Sequence, residues 1–188
     1  MVRARTNRKE MELKLPTPMK FITIGVFGFS EAGFFNALQE AGVDTFCDIR
    51  WRRGVRGAEY AFVNSARLQK RLTELGIRYL HFRELAPSPA LRQRQSEVDT
   101  AAGIAKRKRE ALSEAFISGY NKERLSIFDS RKFVEQLGVE ARTVALFCVE
   151  REPAACHRSL LAERLHEELG VQIVHLTPSN ANEGPHSR

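Results

Sequence analysis

Cys148, Glu150, Cys156, His157 and Arg158 bring two thiols, a carboxylate, an imidazole and a guanidinium into one short stretch, Ala145 to Leu161. Cys148 is a nucleophile if a neighbouring base or a helix dipole ionises it. His157, with an ordinary pKa near neutrality, suits general acid or base work. Glu150 can exchange protons, and Arg158 can grip a phosphate or carboxylate with paired N–H groups. Each has a plainer reading beside it. Cys148 can be a small buried strand residue, His157 can make a helix-start hydrogen bond, and Glu150 and Arg158 can be structural ion-pair partners.

The stretch reads as an apolar strand, a polar turn and a helix that Pro153 opens and Gly170 closes. A helix start presents unpaired N–H groups and a positive dipole end, so the junction suits an anion. Counted along that helix at about 100° per residue, Ala154, Leu161, Leu165 and Leu169 form the buried stripe. Arg158 falls near its centre and His157 at its flank. Cys156 falls roughly opposite, which makes it the poorer candidate.

The rest of the chain supplies strands and helices to position this junction. Phe21–Phe27 reads as a first strand, with Gly28–Ser30 as its exit and a helix to about Ala41. Val43–Ile49 is a second strand ending in Asp48-Ile-Arg50, followed by the basic loop Trp51-Arg-Arg-Gly-Val-Arg-Gly57. A helix capped by Asn64 or Ser65 carries Leu68, Leu72 and Leu75 to the stop at Gly76. Ile77–Phe82 is a third strand. Residues 91–125 read as a charged helical excursion whose densest basic run, Lys106-Arg-Lys-Arg109, is expected to be a solvated helix face. A short helix from Ser130, a fourth strand over Thr143–Val149, the helix already described and a fifth strand over Val171–Leu176 complete the domain. Residues 1–20 are expected to be a flexible basic arm, and residues 178–188 a disordered tail.

Strands alternating with helices call for a doubly wound α/β domain, a mostly parallel five-stranded sheet with helices on both faces. Ligands in such sheets bind outside the carboxyl ends of the strands. That edge is expected to carry Ser30 after strand one, Asp48 and Arg50 after strand two, Glu84 after strand three, and Cys148 with Glu150 after strand four. Ser30, Arg50 and Arg158 are the anion-binding candidates. Asp48, Cys148, Glu150 and His157 are the catalytic ones. Trp51, Arg52, Arg53 and Arg56 combine phosphate-binding charge with a stacking surface, a pattern suited to nucleotides or single strands. An exposed basic loop with Trp51 docked in the core is the alternative.

The 188 residues suffice for one core, and the formal net charge of +7 favours a phosphate-bearing small molecule or nucleic acid as partner. Three cysteines without disulfide-scaffold spacing fit a reducing compartment, and no apolar run is long enough to span a membrane. A cytoplasmic, non-membrane protein is the expectation. No cofactor is expected, since a P-loop lysine motif and a dinucleotide glycine fingerprint are both missing. No metal is expected either, because Cys148, Cys156 and His157 lack the paired-ligand spacing of a structural zinc site. A Cys, Glu and His set remains the open alternative.

Thr23-Ile-Gly25, Asp48-Ile-Arg50, Tyr79-Leu-His81 leading to Glu84-Leu-Ala-Pro87, Cys148-Val-Glu150 and Cys156-His-Arg-Ser-Leu-Leu-Ala162 together resemble the domain of unknown function 488 family, over about residues 21–177. The resemblance implies a compact α/β domain. It also implies Asp48, Arg50, Cys148, Glu150, Cys156, His157 and Arg158 as shared site positions, without an activity. The residues point first to an enzyme acting on a nucleotide or nucleic acid, by hydrolysis of a phosphoester or glycosidic bond. A non-catalytic nucleotide or nucleic-acid binding module is the second reading, and a thiol enzyme centred on Cys148 a third.

Overall fold

The structure is a computed structural model that describes residues 19–178, so most of the expected arm and tail lies outside the described residues. Five strands, β1 (Lys20–Gly25), β2 (Thr45–Asp48), β3 (Arg78–His81), β4 (Thr143–Cys148) and β5 (Gln172–Leu176), form one sheet in the order β3-β2-β4-β1-β5. Every pairing is parallel. The helices are α1 (Glu31–Glu40), α2 (Ser65–Glu74), α3 (Pro89–Ala101), α4 (Glu114–Tyr120), α5 (Ser130–Leu137) and α6 (His157–Leu169). This is the doubly wound α/β fold. No helix among the described residues is long and apolar enough to cross a membrane.

Strand order decides which face each helix covers. The chain moves one way across the sheet from β1 to β3 and the other way from β3 to β5. Right-handed crossovers then put α1 and α2 on one face and α3 to α6 on the other. The core divides accordingly. Ile22, Ile24, Phe46, Ala145 and Phe147 pack with Phe34, Leu38, Leu68 and Leu72 on the first face. Phe21, Cys47, Val144 and Leu146 pack with Phe116, Tyr120, Phe133, Leu161 and Leu165 on the second. All six residues of β4 are buried, because β2 and β1 flank it and both its faces are covered.

β4 also sits at the point where the winding reverses. Its neighbours β1 and β2 lead to helices on the first face, whereas β4 leads to α6 on the second. A crevice therefore opens at its carboxyl end. The long connection from β3 to β4 lies over that opening. Ser88 caps α3 and Ser113 caps α4, and Gln95 of α3 accepts from the Ser113 N–H and hydroxyl at 3.0 and 2.9 Å. Among the bonds that hold the pair in place are Tyr120 Oη to the Leu85 carbonyl at 2.7 Å and Leu112 N–H to the Ala154 carbonyl at 2.9 Å.

Gly25 ends β1 in register with Cys148. A Cβ there would stand 1.7 Å from the Glu150 carbonyl oxygen, a main-chain atom that can yield only by moving the whole exit of β4. Gly25→Ala is expected to destabilise the protein by at least about 1–3 kcal/mol in urea denaturation. Gly54→Ala, whose added methyl meets just the Asn64 Oδ1 at 3.8 Å, should stay within about 0.5 kcal/mol.

Candidate functional site

The crevice is a cavity of about 350 Å³ at the carboxyl ends of β2 and β4, roofed by α3 and the segment around Lys106–Arg109. Cys148, Cys156 and His157 form its floor, Glu150 one wall, and Trp51, Arg52, Arg92, Lys106 and Arg109 its rim and roof. Its volume is in the range of small-ligand sites.

The path of the chain after β4 explains the floor. Pro153–Ala155 makes a separate 3-10 turn, closed by Cys156 N–H on the Pro153 carbonyl at 3.1 Å. Cys156 is then extended, with φ −143° and ψ 142°, and α6 begins only at His157. The expectation that Cys156 points away is thereby corrected. Helical phase cannot be counted through a residue that is not helical, and Cys156 is in fact 1% exposed at the cavity floor.

Cys148 Sγ lies 3.9 Å from His157 Nδ1, Cys156 Sγ lies 3.7 Å from the same nitrogen, and Glu150 Oε2 lies 3.2 Å from Cys148 Sγ. His157 Nε2 is 3.2 Å from the Ile49 carbonyl, which can only accept, so Nε2 carries a proton and Nδ1 faces the sulfurs. The hydrogen bond to Cys156, then burial and the Glu150 charge, push Cys148 well above the ordinary thiol range. Burial opposes ionisation of Cys156, but the Cys148 hydrogen bond and the His157 and Arg158 charges outweigh it and bring its pKa well down. Burial likewise opposes a charged His157, yet Cys156 and Glu150 raise its pKa. The surroundings thus favour ionisation of Cys156 over that of Cys148.

Above this floor, Glu150 Oε1 faces Arg109 Nη2 at 3.3 Å and Lys106 Nζ at 3.5 Å. Arg109 also donates to Asp99 at 2.7 Å and to the Ala155 carbonyl. Lys106, Arg107 and Lys108 are exposed, as expected of a solvated face, but they form a short 3-10 turn, and Arg109 is turned inward between α3 and the β4 exit. Arg92 stands under the roof. Burial and the nearby Arg52 charge lower its pKa from the usual guanidinium value. Arg92 lies 5.7 Å from the Trp51 ring centre, and Arg83 lies over the same ring at 4.2 Å.

Other anticipated residues lie elsewhere. Asp48 is fully buried and does not line the cavity. Its carboxylate accepts from Arg50 Nε and Nη2 at 2.8 and 2.7 Å, from the Arg50 N–H at 3.1 Å and from Tyr79 Oη at 2.9 Å. Burial and the Asp48 charge push the Tyr79 hydroxyl up, so it remains a donor. Arg50 lines the cavity; its Nε and Nη2 donate to Asp48 and the Val63 carbonyl, while its Nη1 is buried without a hydrogen-bond partner. Arg158 points inward, as the helical phase predicts, and it is fully buried. It donates from Nη1 to the Glu150 carbonyl at 2.7 Å and from Nη2 to the Arg151 carbonyl at 2.9 Å, and it does not line the cavity. Ser30 caps α1 by accepting from the Gly33 N–H at 3.1 Å. Arg53 and Arg56 are not among the lining residues, and Glu84 opens onto a separate hollow beside Phe82 and Arg124. Arg92, Gln95, Asp99 and Arg109 are lining residues that the sequence reading did not select. The basic run was the one available signal, for Arg109.

A doubly wound α/β domain with a cysteine and histidine cluster at its winding-reversal point is the class that fold and site define. Within that class, the model of the family described as domain of unknown function DUF488 matches residues 31–165, and the chain belongs to this family. No curated protein and no solved structure matches the chain.

The Arg158 bonds carry a stability prediction. Arg158→Leu leaves the Glu150 and Arg151 carbonyls without their donors and should lower the unfolding free energy by about 2–5 kcal/mol. Arg158→Lys should recover only part of this in chemical denaturation, because one ammonium cannot reproduce the planar two-pronged fork.

Proposed function

We propose that the protein is an enzyme that hydrolyses a phosphoester in a nucleotide or nucleic acid, at the cavity over the β4 exit. The observation that carries this reading is the charge left over at the rim. Asp48 compensates Arg50, while Asp99 and Glu150 compensate Arg109 and Lys106. Arg52 and Arg92 line the cavity with no carboxylate partner among the described residues. Two guanidinium groups without a carboxylate partner on one cavity, the Arg52 charge felt at Arg92, suit a phosphate. Trp51 offers a flat surface beside them for a base.

Glu150 is the carboxylate placed for proton transfer. Water adds to phosphorus while Glu150 accepts its proton, the phosphorus–oxygen bond to the leaving group breaks, and the departing oxygen takes a proton from solvent. Asp48 lies outside the cavity, so the pairing of Asp48 with Glu150 that glycosidic cleavage would use is not assembled. The three cysteines are free, which fits a reducing compartment such as the cytoplasm.

The full chain should bind a mononucleotide, and Arg92→Ala and Arg52→Ala should each weaken that binding by roughly 10-fold or more. Unchanged affinity in the double variant would sink the phosphate site. Glu150→Gln should lower kcat on phosphodiester or phosphomonoester substrates by about 10²–10⁴-fold with little change in KM. Binding without turnover of any of these substrates would make the cavity a non-catalytic binding module. Steep loss of affinity with salt would identify nucleic acid over a mononucleotide as the ligand.

A further inference from the structure

We infer that Cys148, Cys156 and His157 form a three-ligand site for zinc or a similarly thiophilic divalent ion, whose fourth coordination position opens into the cavity. The inference goes beyond the hydrolase reading and does not depend on it.

The geometry is that of a tetrahedral ion's ligands. The two sulfurs and the imidazole nitrogen lie within 4.8 Å of one another, and all three side chains are buried. Zinc–sulfur bonds of about 2.3 Å and zinc–nitrogen bonds of about 2.0–2.1 Å at a tetrahedral angle separate sulfur from nitrogen by about 3.6 Å. The two sulfur–Nδ1 distances here are 3.9 and 3.7 Å. The sulfur-to-sulfur separation is no more than 4.8 Å, against about 3.8 Å at a tetrahedral ion, so closing on an ion needs side-chain shifts of up to about an ångström, not a refolded turn.

The surroundings match as well. A ligating histidine usually anchors its second nitrogen on a carbonyl or carboxylate, which fixes the ring and presents the free lone pair to the metal. His157 does this through Nε2 and the Ile49 carbonyl. Tyr120 packs on the ring at 5.4 Å between centres, and the Tyr120 hydroxyl is itself held by the Leu85 carbonyl. Cys148 comes from a strand end, and the adjacent Cys156 and His157 are the N-cap and the first residue of α6, so all three are rigidly placed. Thiolates are the ligating species, and two of them neutralise a divalent ion without another carboxylate. Glu150, 3.2 Å from the Cys148 sulfur, stands on the cavity wall rather than among the ligands. It is placed to take a proton from water held in the fourth position, the arrangement of catalytic rather than structural zinc sites.

The test uses the full chain, freed of metal by a chelator under reducing conditions. After addition of zinc and desalting it should retain about one zinc per chain. Cobalt in its place should give thiolate-to-cobalt charge-transfer bands and the intense visible bands of a four-coordinate ion. Cys148→Ser, Cys156→Ser and His157→Ala should each weaken zinc binding by roughly 100-fold or more. The wild-type cobalt spectrum decides the ligand set even if a variant fails to fold. Arg92→Ala should keep its zinc while losing phosphate affinity, and a zinc-loaded chain that hydrolyses nothing would remove the hydrolase reading alone. Retention of less than about a tenth of an equivalent of zinc, with a cobalt spectrum free of thiolate bands, would overturn the metal site. So would a disulfide between Cys148 and Cys156 that forms equally fast with and without zinc.

Discussion

The geometry of the site depends on the way the chain leaves β4. To bring Cys156 back to Cys148, the turn must cross the end of β1 at close range and re-enter as α6. Three restraints hold it there. Val26 and Phe27 donate their N–H groups to the Val149 carbonyl at 3.2 and 3.0 Å, Gly25 leaves room for the Glu150 carbonyl, and Arg158 donates to the carbonyls of Glu150 and Arg151. A guanidinium buried without a carboxylate is costly, and so are two carbonyls at a buried strand exit without donors. Each offsets the cost of the other. Because Arg158 belongs to α6, the helix fastens the turn that leads into it.

The same reasoning extends to the roof. A doubly wound sheet leaves the carboxyl edge at β4 open, and the β3–β4 connection closes it, its Leu91, Leu112, Phe116 and Tyr120 buried in the core and its Arg92, Asp99, Lys106 and Arg109 turned to the cavity. Arg109 bridges Asp99 of α3, Glu150 of the β4 exit and the Ala155 carbonyl of the intervening turn. Buried ion triads contribute little net stability compared with apolar packing, but they permit few arrangements. Here the arrangement that satisfies Arg109 also fixes the height of the roof above the sulfurs and holds Glu150 beside Cys148.

Much of this was legible in the sequence, for identifiable reasons. β4 shows as an unbroken apolar run because it is covered on both faces, and α6 shows through Leu161 and Leu165, which also give the inward direction of Arg158. The strand exits gave the correct edge of the sheet, since an all-parallel sheet has just one carboxyl edge. Three things were not legible. Cys156 was misjudged because the 3-10 turn over Pro153–Ala155 interrupts the helical phase, and Pro153 alone does not reveal where α6 starts. Asp48 shares its strand end with Arg50, and whether such a pair faces a ligand or closes on itself depends on Tyr79 and Val63, which periodicity does not place. Arg92 is one charge among many on a polar helix, and only the fold of the connection over β4 sets it beside Arg52.

The cluster at the floor differs in kind from the other buried polar groups. Asp48 with Arg50, and Arg158 with its carbonyls, are closed units that spend most of their donors within the protein, leaving Arg50 Nη1 and Arg158 Nε without a hydrogen-bond partner. Cys148, Cys156 and His157 are not closed in that way. Two thiols and an imidazole are buried together, the two sulfurs 3.9 and 3.7 Å from one ring nitrogen. Small apolar side chains would fill the same space without a desolvation cost. Three ionisable groups gathered at the end of a cavity, with their reactive atoms facing each other and a carboxylate alongside, make physical sense as half of an arrangement. The other half, on the metal-site reading proposed above, is a cation held between the two sulfurs and Nδ1.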